Sequence, residues 1–120
     1  MADETNRLVI VGSGPAGLTA ALYSARANLS AAGYADRVEL YIGDGTCGLP
    51  EHAPFAAVAV AAAALEPPPA LYDQLEPRGR LVVTVGGSED QWLEVVTRTP
   101  EGPAVRRSIP CRFVPLIASA

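Results

Sequence analysis

The sequence predicts an α/β fold: a small parallel sheet wound with helices and finished by a carboxyl-terminal antiparallel hairpin. Three observations predict it. Short apolar runs rich in β-branched residues, at 7–11, 38–42, 55–60 and 79–87, have the composition of strands buried on both faces. Between the first of these runs lies a stretch with helical spacing, and strand–helix alternation implies parallel pairing with right-handed crossovers. Residues 92–116 instead read as two extended arms on either side of Thr-Pro-Glu-Gly-Pro.

Taken in order, residues 7–11 (RLVIV) form the first strand and run into Gly12-Ser13-Gly14-Pro15-Ala16-Gly17. Pro15 suits a first helical turn, where its missing N–H has no intrahelical partner. Leu18, Ala21, Leu22, Ala25 and Leu29 then recur at three- and four-residue steps, which predicts a helix over 15–32 with Gly33 as its stop. A second strand, VELYI at 38–42, ends in Gly43-Asp44-Gly45. Residues 46–54 carry glycine and two prolines and read as a loop.

The run FAAVAVAAAA predicts a third strand through about Val60, because valines lead it and a proline run follows. PALYDQLEP suits a short helix with Leu71 and Leu75 on one face, and GRLVVTVGG a fourth strand. The hairpin arms are 92–98 and 104–116, with Pro110 restricting the second arm to an edge or bulged strand. The expected strand order is second, first, third, fourth, with the hairpin at the far edge.

A chain of 120 residues suits one domain, and 49% hydrophobic residues provide for a core. The formal net charge of −4 argues against nucleic acid as a partner. Cys47 and Cys111 form no CxxC pair and have only His52 as an imidazole companion, so no metal site is expected and the thiols suit a reducing, cytoplasmic setting. The longest apolar stretch, 55–65, is too short to span a bilayer, and no membrane partner is expected. Shortening of the sheet would leave the 38–42 strand exposed and open to self-association.

The pattern Gly12-x-Gly14-x-x-Gly17 carries a mechanism. The first glycine makes a tight turn, the second lets a pyrophosphate approach the backbone, and the third lets helix pack on strand. Following a strand and opening a helix, it makes the fold a small doubly wound, Rossmann-like sheet and gives Gly12, Ser13, Gly14, Pro15, Ala16 and Gly17 as cofactor-binding candidates. The bland alternative is a glycine turn kept for packing. An acidic residue about 20 positions on should meet the ribose. Glu39 fits the count, but Asp44 stands at the carboxyl end of its strand, where a nucleoside would lie; Asp44 and Gly45 complete the set, unless Asp44 only makes an Asx turn.

Residues 7–29, RLVIVGSGPAGLTAALYSARANL, closely resemble the amino terminus of thioredoxin reductases. That resemblance implies FAD contacts at Gly12, Ser13, Gly14, Pro15 and Ala16. From about residue 25 to residue 117, the GDG turn, TCGLPEHAPF, the LYDQLEPRGRLVVTVGG stretch and RFVPLI resemble the carboxyl half of protein-L-isoaspartate O-methyltransferases. This second resemblance implies S-adenosylmethionine as cofactor, Asp44 as its adenine-side contact, and isoaspartyl peptides as acceptors. Gly45, Gly48, Pro50, Glu51, Pro54 and Phe55 agree with the family pattern. The family usually has Asp at Ala56, Thr at Ala61 and a second Gly at Arg78.

The family's own glycine motif, the acidic strand after it and the upstream substrate segment have no counterpart, so the sequence reads as a chimera joined in ARANL. One domain over 1–120 is expected, with 1–29 flavoprotein-like and 30–120 methyltransferase-like. The functional expectation is a truncated protein-L-isoaspartate O-methyltransferase-like domain with slow or no turnover. A noncatalytic Rossmann-like recombinant and an FAD-binding fragment are the alternatives. No catalytic residue is assigned: His52 reads as a solvated loop residue, Glu89 and Asp90 as hairpin-edge charges, and Trp92, Leu93, Val95 and Val96 as packing.

Overall fold

The computed structural model describes residues 8–12, 30–33 and 45–116. The expected strand at 38–42 and the candidates Ser13, Gly14, Pro15, Ala16, Gly17, Glu39 and Asp44 lie outside the described residues. So does the expected helix over 15–32, apart from its end: residues 30–32 are helical, and Gly33 stops them at φ 83° with its N–H on the Ser30 carbonyl, 3.1 Å. A left-handed glycine is the usual helix stop. The chain divides into two compact units, Met1–Ser13 with Asp44–Ala120, and Gly14–Gly43.

In the first unit a five-stranded mixed sheet has the order β1 (Leu8–Gly12), β2 (Phe55–Ala64), β3 (Leu75–Gly86), β4 (Gln91–Thr99), β5 (Gly102–Pro110). β1, β2 and β3 pair in parallel; β3, β4 and β5 form an antiparallel meander. This is the α/β sheet with a carboxyl-terminal hairpin that the sequence predicts, in the predicted order for these strands.

One face carries the core. Val11, Val58, Val60, Leu81, Val83 and Val96 project from the strands and meet Phe55, Leu71 and Leu75, all buried. Strand periodicity sends alternate residues to the other face, where Leu8 and Ile10 are exposed. The short helix α1 (Pro69–Asp73) docks on the core through Leu71, its one buried residue. A five-residue helix has no stability of its own and depends on this docking.

Three expectations need correction. β2 continues past Val60 to Ala64, although alanine favours helix: β1 and β3 flank the run, and tertiary pairing overrides intrinsic propensity. β3 begins at Leu75, not Gly79, so Leu75 belongs to the strand and not to the helix face of Leu71. Phe55 N–H donates to the Gln74 carbonyl at 2.8 Å, which starts the β2–β3 ladder there. The register then jumps from Phe55–Leu75 to Ala57–Arg80, so residues 76–79 bulge opposite Ala56, with Arg78 left-handed at φ 67°.

The second hairpin arm ends at Pro110, opposite Trp92, and not at Leu116. Beyond it Cys111 N–H still donates to the Gln91 carbonyl of β4 at 3.1 Å, and the chain then turns to β2. Ala63 N–H donates to the Val114 carbonyl and Leu116 N–H to the Ala63 carbonyl, both at 2.8 Å. β5 is exposed along nearly its whole length, and its prolines, Pro103 and Pro110, remove two donors from that edge.

Candidate functional site

Ligands of open parallel sheets bind outside the carboxyl ends of the strands. Those ends are Gly12 in β1, residues 61–64 in β2 and residues 84–86 in β3. Gly12 closes β1 in register with Ala61, so the two adjacent strand ends carry nothing larger than a methyl group, and Ala61 is exposed. A glycine at this point lets a ligand approach the main chain. Gly45 opens a 3-10 turn, Gly45–Cys47, that neighbours β1. The structure thus brings together the elements bearing Gly12 and Gly45, the two candidates among the described residues.

The loop between Gly45 and β2 is tightly wound. Gly48 N–H returns to the Gly45 carbonyl at 3.1 Å, and Gly48 itself is left-handed at φ 64°. A second 3-10 turn, Pro50–His52, follows, with His52 N–H on the Leu49 carbonyl at 3.0 Å. Leu49 and Ala53 pack against the core, which fixes the loop to the sheet.

Sequence reasoning missed the polar side chains that tie the elements together, Gln74 and Arg98 at the amino ends of β2 and β3 and Gln91 and Thr84 toward the carboxyl end of β3. Gln74, between α1 and β3, accepts from Leu49 N–H (2.9 Å) and donates to the Cys47 carbonyl (2.8 Å). Arg98, reaching over from β4, donates to the Asp73 and Leu75 carbonyls at 2.9 and 2.7 Å, and its guanidinium lies 5.8 Å from the Tyr72 ring centroid. Buried Gln91 donates to the Gly87 carbonyl (2.8 Å) and accepts from Phe113 N–H (2.7 Å), tying the returning segment to β4. Buried Thr84 meets the Cys111 thiol, 3.4 Å from oxygen to sulfur. Each is a polar residue whose partner lies in a segment distant in sequence, a relation that no periodicity marks.

The remaining polar residues are placed otherwise. Glu89 and Asp90 are exposed in the β3–β4 turn. Cys47 and Cys111 are free thiols, and among the described residues no cluster of His, Cys, Asp and Glu has the size of a metal site. No helix among them is long and apolar enough to cross a membrane. Of the hairpin's apolar residues Val96 is buried in the core, while Trp92 is half-buried with the Arg107 guanidinium 5.3 Å from its ring centroid. An open groove of about 240 Å³, lined by Arg80, Val95, Thr97, Ala104, Val105 and Arg106, lies at the register of Ala57, toward the amino end of β2 and away from the candidate site.

The sheet, with its parallel strands and antiparallel hairpin, defines a Rossmann-like α/β domain. Residues 5–120 match the protein-L-isoaspartate(D-aspartate) O-methyltransferase family, and the chain belongs to that family. The match takes in residues 7–29, so the stretch that resembles a flavoprotein needs no second origin. The Aeropyrum pernix protein-L-isoaspartate O-methyltransferase is 48% identical over 94 residues, covering 78% of this chain and 36% of its own length. That of Hyperthermus butylicus is also 48% identical over 94 residues, covering 78% and 39%. The chain therefore spans well under half the length of these curated relatives.

Among solved structures, a protein-L-isoaspartate O-methyltransferase superposes with a TM-score of 0.72 at 22% identity, over 92% of this chain and 42% of its own. A Plasmodium falciparum structure of the same description, solved in complex with S-adenosyl-L-homocysteine, gives 0.64 at 20% identity, over 93% and 66%. At these identities the two structures establish the shared fold.

Proposed function

We propose that this chain is the cofactor-holding sheet of a protein-L-isoaspartate O-methyltransferase and binds S-adenosylmethionine at the carboxyl ends of β1 and β2. The observation that carries the reading is the parallel β1–β2 pair with Gly12 beside Ala61 at its carboxyl end, in a chain that belongs to this family. Gly12 and Ala61 leave the strand ends open to close approach, which suits a nucleoside laid across them. Gly12 with Ser13, Gly14, Pro15, Ala16 and Gly17 would hold one side of the cofactor, and Asp44 with Gly45 its adenine side.

Bound there, S-adenosylmethionine supplies an activated methyl group on a sulfonium. In the proposed reaction an isoaspartyl carboxylate oxygen attacks that carbon in line. A C–O bond forms as the C–S bond breaks, leaving a methyl ester and S-adenosylhomocysteine with no proton to move. Such a displacement asks the protein for position and exclusion of water rather than for a nucleophile or metal.

Isothermal titration of the purified chain with S-adenosylhomocysteine, and separately with FAD, tests the reading. Binding of the first and not of the second is expected; preference for FAD overturns it in favour of the flavoprotein alternative. Methyl transfer from labelled S-adenosylmethionine to an isoaspartyl peptide measures turnover separately.

A further inference from the structure

We propose that the groove on the face of the sheet opposite the core is a binding site for a small dianion, held between the guanidinium groups of Arg80 and Arg106. It lies toward the amino end of β2, on residues that the cofactor reading does not use. Three observations carry it. First, register puts both arginines on one face. Arg80 of β3 pairs with Thr97 of β4, which pairs with Ala104 of β5; one step along, Leu81 pairs with Val96, both buried in the core. Strand alternation therefore turns Arg80, Thr97 and Ala104 away from the core, and the next residues of that face are Val95 and its β5 partner Arg106. Long side chains stand on β3 and β5 with short ones between them, which leaves an open groove of about 240 Å³.

Second, these two guanidiniums are available. Arg98 donates to the Asp73 and Leu75 carbonyls, Arg107 to Glu94 while it lies over Trp92, and Arg112 to the Ser88 carbonyl. Among the described residues the Arg80 and Arg106 guanidiniums have neither a hydrogen bond nor an ion pair, and both residues are exposed. The arginines that the fold does not engage are thus the pair that shares the groove, together with Arg78, which stands in the β3 bulge and does not line it.

Third, no acid lines the groove, although the chain as a whole carries a net charge of −4. Two neighbouring cations repel one another, so an anion between them relieves that repulsion as well as accepting their hydrogen bonds. A guanidinium presents a planar fork of donors that fits the paired oxygens of a carboxylate or a phosphate. One carboxylate neutralises one fork, and two forks call for two negative charges. Thr97 adds a hydroxyl, and Val95 and Ala104 give an apolar floor that keeps water from one side of the ligand and strengthens its charged contacts. The chemistry shared by a dicarboxylate and a phosphate monoester meets these demands.

The test titrates the 120-residue chain with succinate, inorganic phosphate and acetate, and follows amide chemical shifts by NMR. One or both dianions should shift Thr97, Ala104 and Arg106 saturably, and the tighter of the two names the source as a dicarboxylate or a phosphate group. Acetate should bind about tenfold more weakly, the scale of one charged hydrogen bond, and Arg80→Gln and Arg106→Gln should each weaken the dianion by about as much. Arg112→Gln removes the same charge outside the groove and should bind as wild type. Ala104→Leu fills the groove while keeping both arginines and should abolish binding.

The absence of saturable shifts at these residues with either dianion overturns the inference. So does acetate binding as tightly as the dianions, equal weakening in Arg112→Gln, or undiminished binding in Ala104→Leu. S-adenosylhomocysteine titration reads the other end of the parallel strands, so each of these failures leaves the proposed function standing.

Discussion

Arg78 and Gly79 are adjacent in the β3 bulge and should respond to substitution with opposite signs. Arg78 adopts φ 67°, a conformation that costs a residue with a β-carbon about 1–2 kcal/mol. Its side chain is exposed, so removing it forfeits little packing. Arg78→Gly relieves the backbone cost but adds about 0.4–1 kcal/mol of unfolded-chain entropy. The net expectation is stabilisation by about 0.5–1 kcal/mol. Gly79 is buried, and a β-carbon built on it would lie 2.9 Å from the Glu76 carbonyl oxygen and 3.1 Å from Glu76 N. Both are backbone atoms that cannot swing aside, so Gly79→Ala should destabilise by about 1–3 kcal/mol through overpacking. Urea unfolding followed by the fluorescence of Trp92, the chain's one tryptophan, measures both by linear extrapolation. If the two midpoints move the same way, or Arg78→Gly lowers stability, the conformational reasoning fails.

Gln91→Leu should cost about 1–2 kcal/mol, since two short bonds are lost but the exposed turn at Gly87 lets water replace part of them; amide exchange should rise at Phe113 and stay unchanged at Leu81. Leu71→Ala removes the one buried residue of α1 and should cost about 2–5 kcal/mol in the same unfolding assay. Asp44→Ala should weaken S-adenosylhomocysteine binding by about 1–3 kcal/mol by calorimetry, with the urea midpoint unchanged.

The sheet was legible because its strands are written in valine and leucine at positions that alternate or run together, and because strand, glycine turn and helix recur in the order that parallel pairing demands. The limits of β2 and β3 were not. FAAVAVAAAA satisfies helix and strand composition alike, and only the neighbours β1 and β3 decide it. The early start of β3 depends on Phe55 and Gln74, partners far apart in sequence. Arg78 is instructive in the other direction: it stands where the resembled family usually has a second glycine, and the left-handed φ there gives the physical reason for that preference.

At the candidate site, Gly12 and Gly45 could be picked out because glycine signals backbone demands locally. Gln74, Arg98 and Gln91 could not, since each acts on main-chain groups of segments more than twenty residues away. A polar residue of that kind looks like any surface side chain until the fold supplies its partners.

The return of residues 111–116 to Ala63 also bears on how the chain comes to fold. β3, β4 and β5 pair with sequence neighbours and form a meander of local contacts, whereas β1 must find β2, with Leu8 beside Ala57. Local pairings form early and distant ones late. β1 and β2 precede the meander in the chain, so β2 lacks its β3 neighbour until that strand is made. Ala63 keeps an unsatisfied N–H and carbonyl until Val114 and Leu116 arrive. A strand of alanine and valine whose main-chain groups wait for distant partners is a segment that a chaperone holding the nascent chain would have reason to cover.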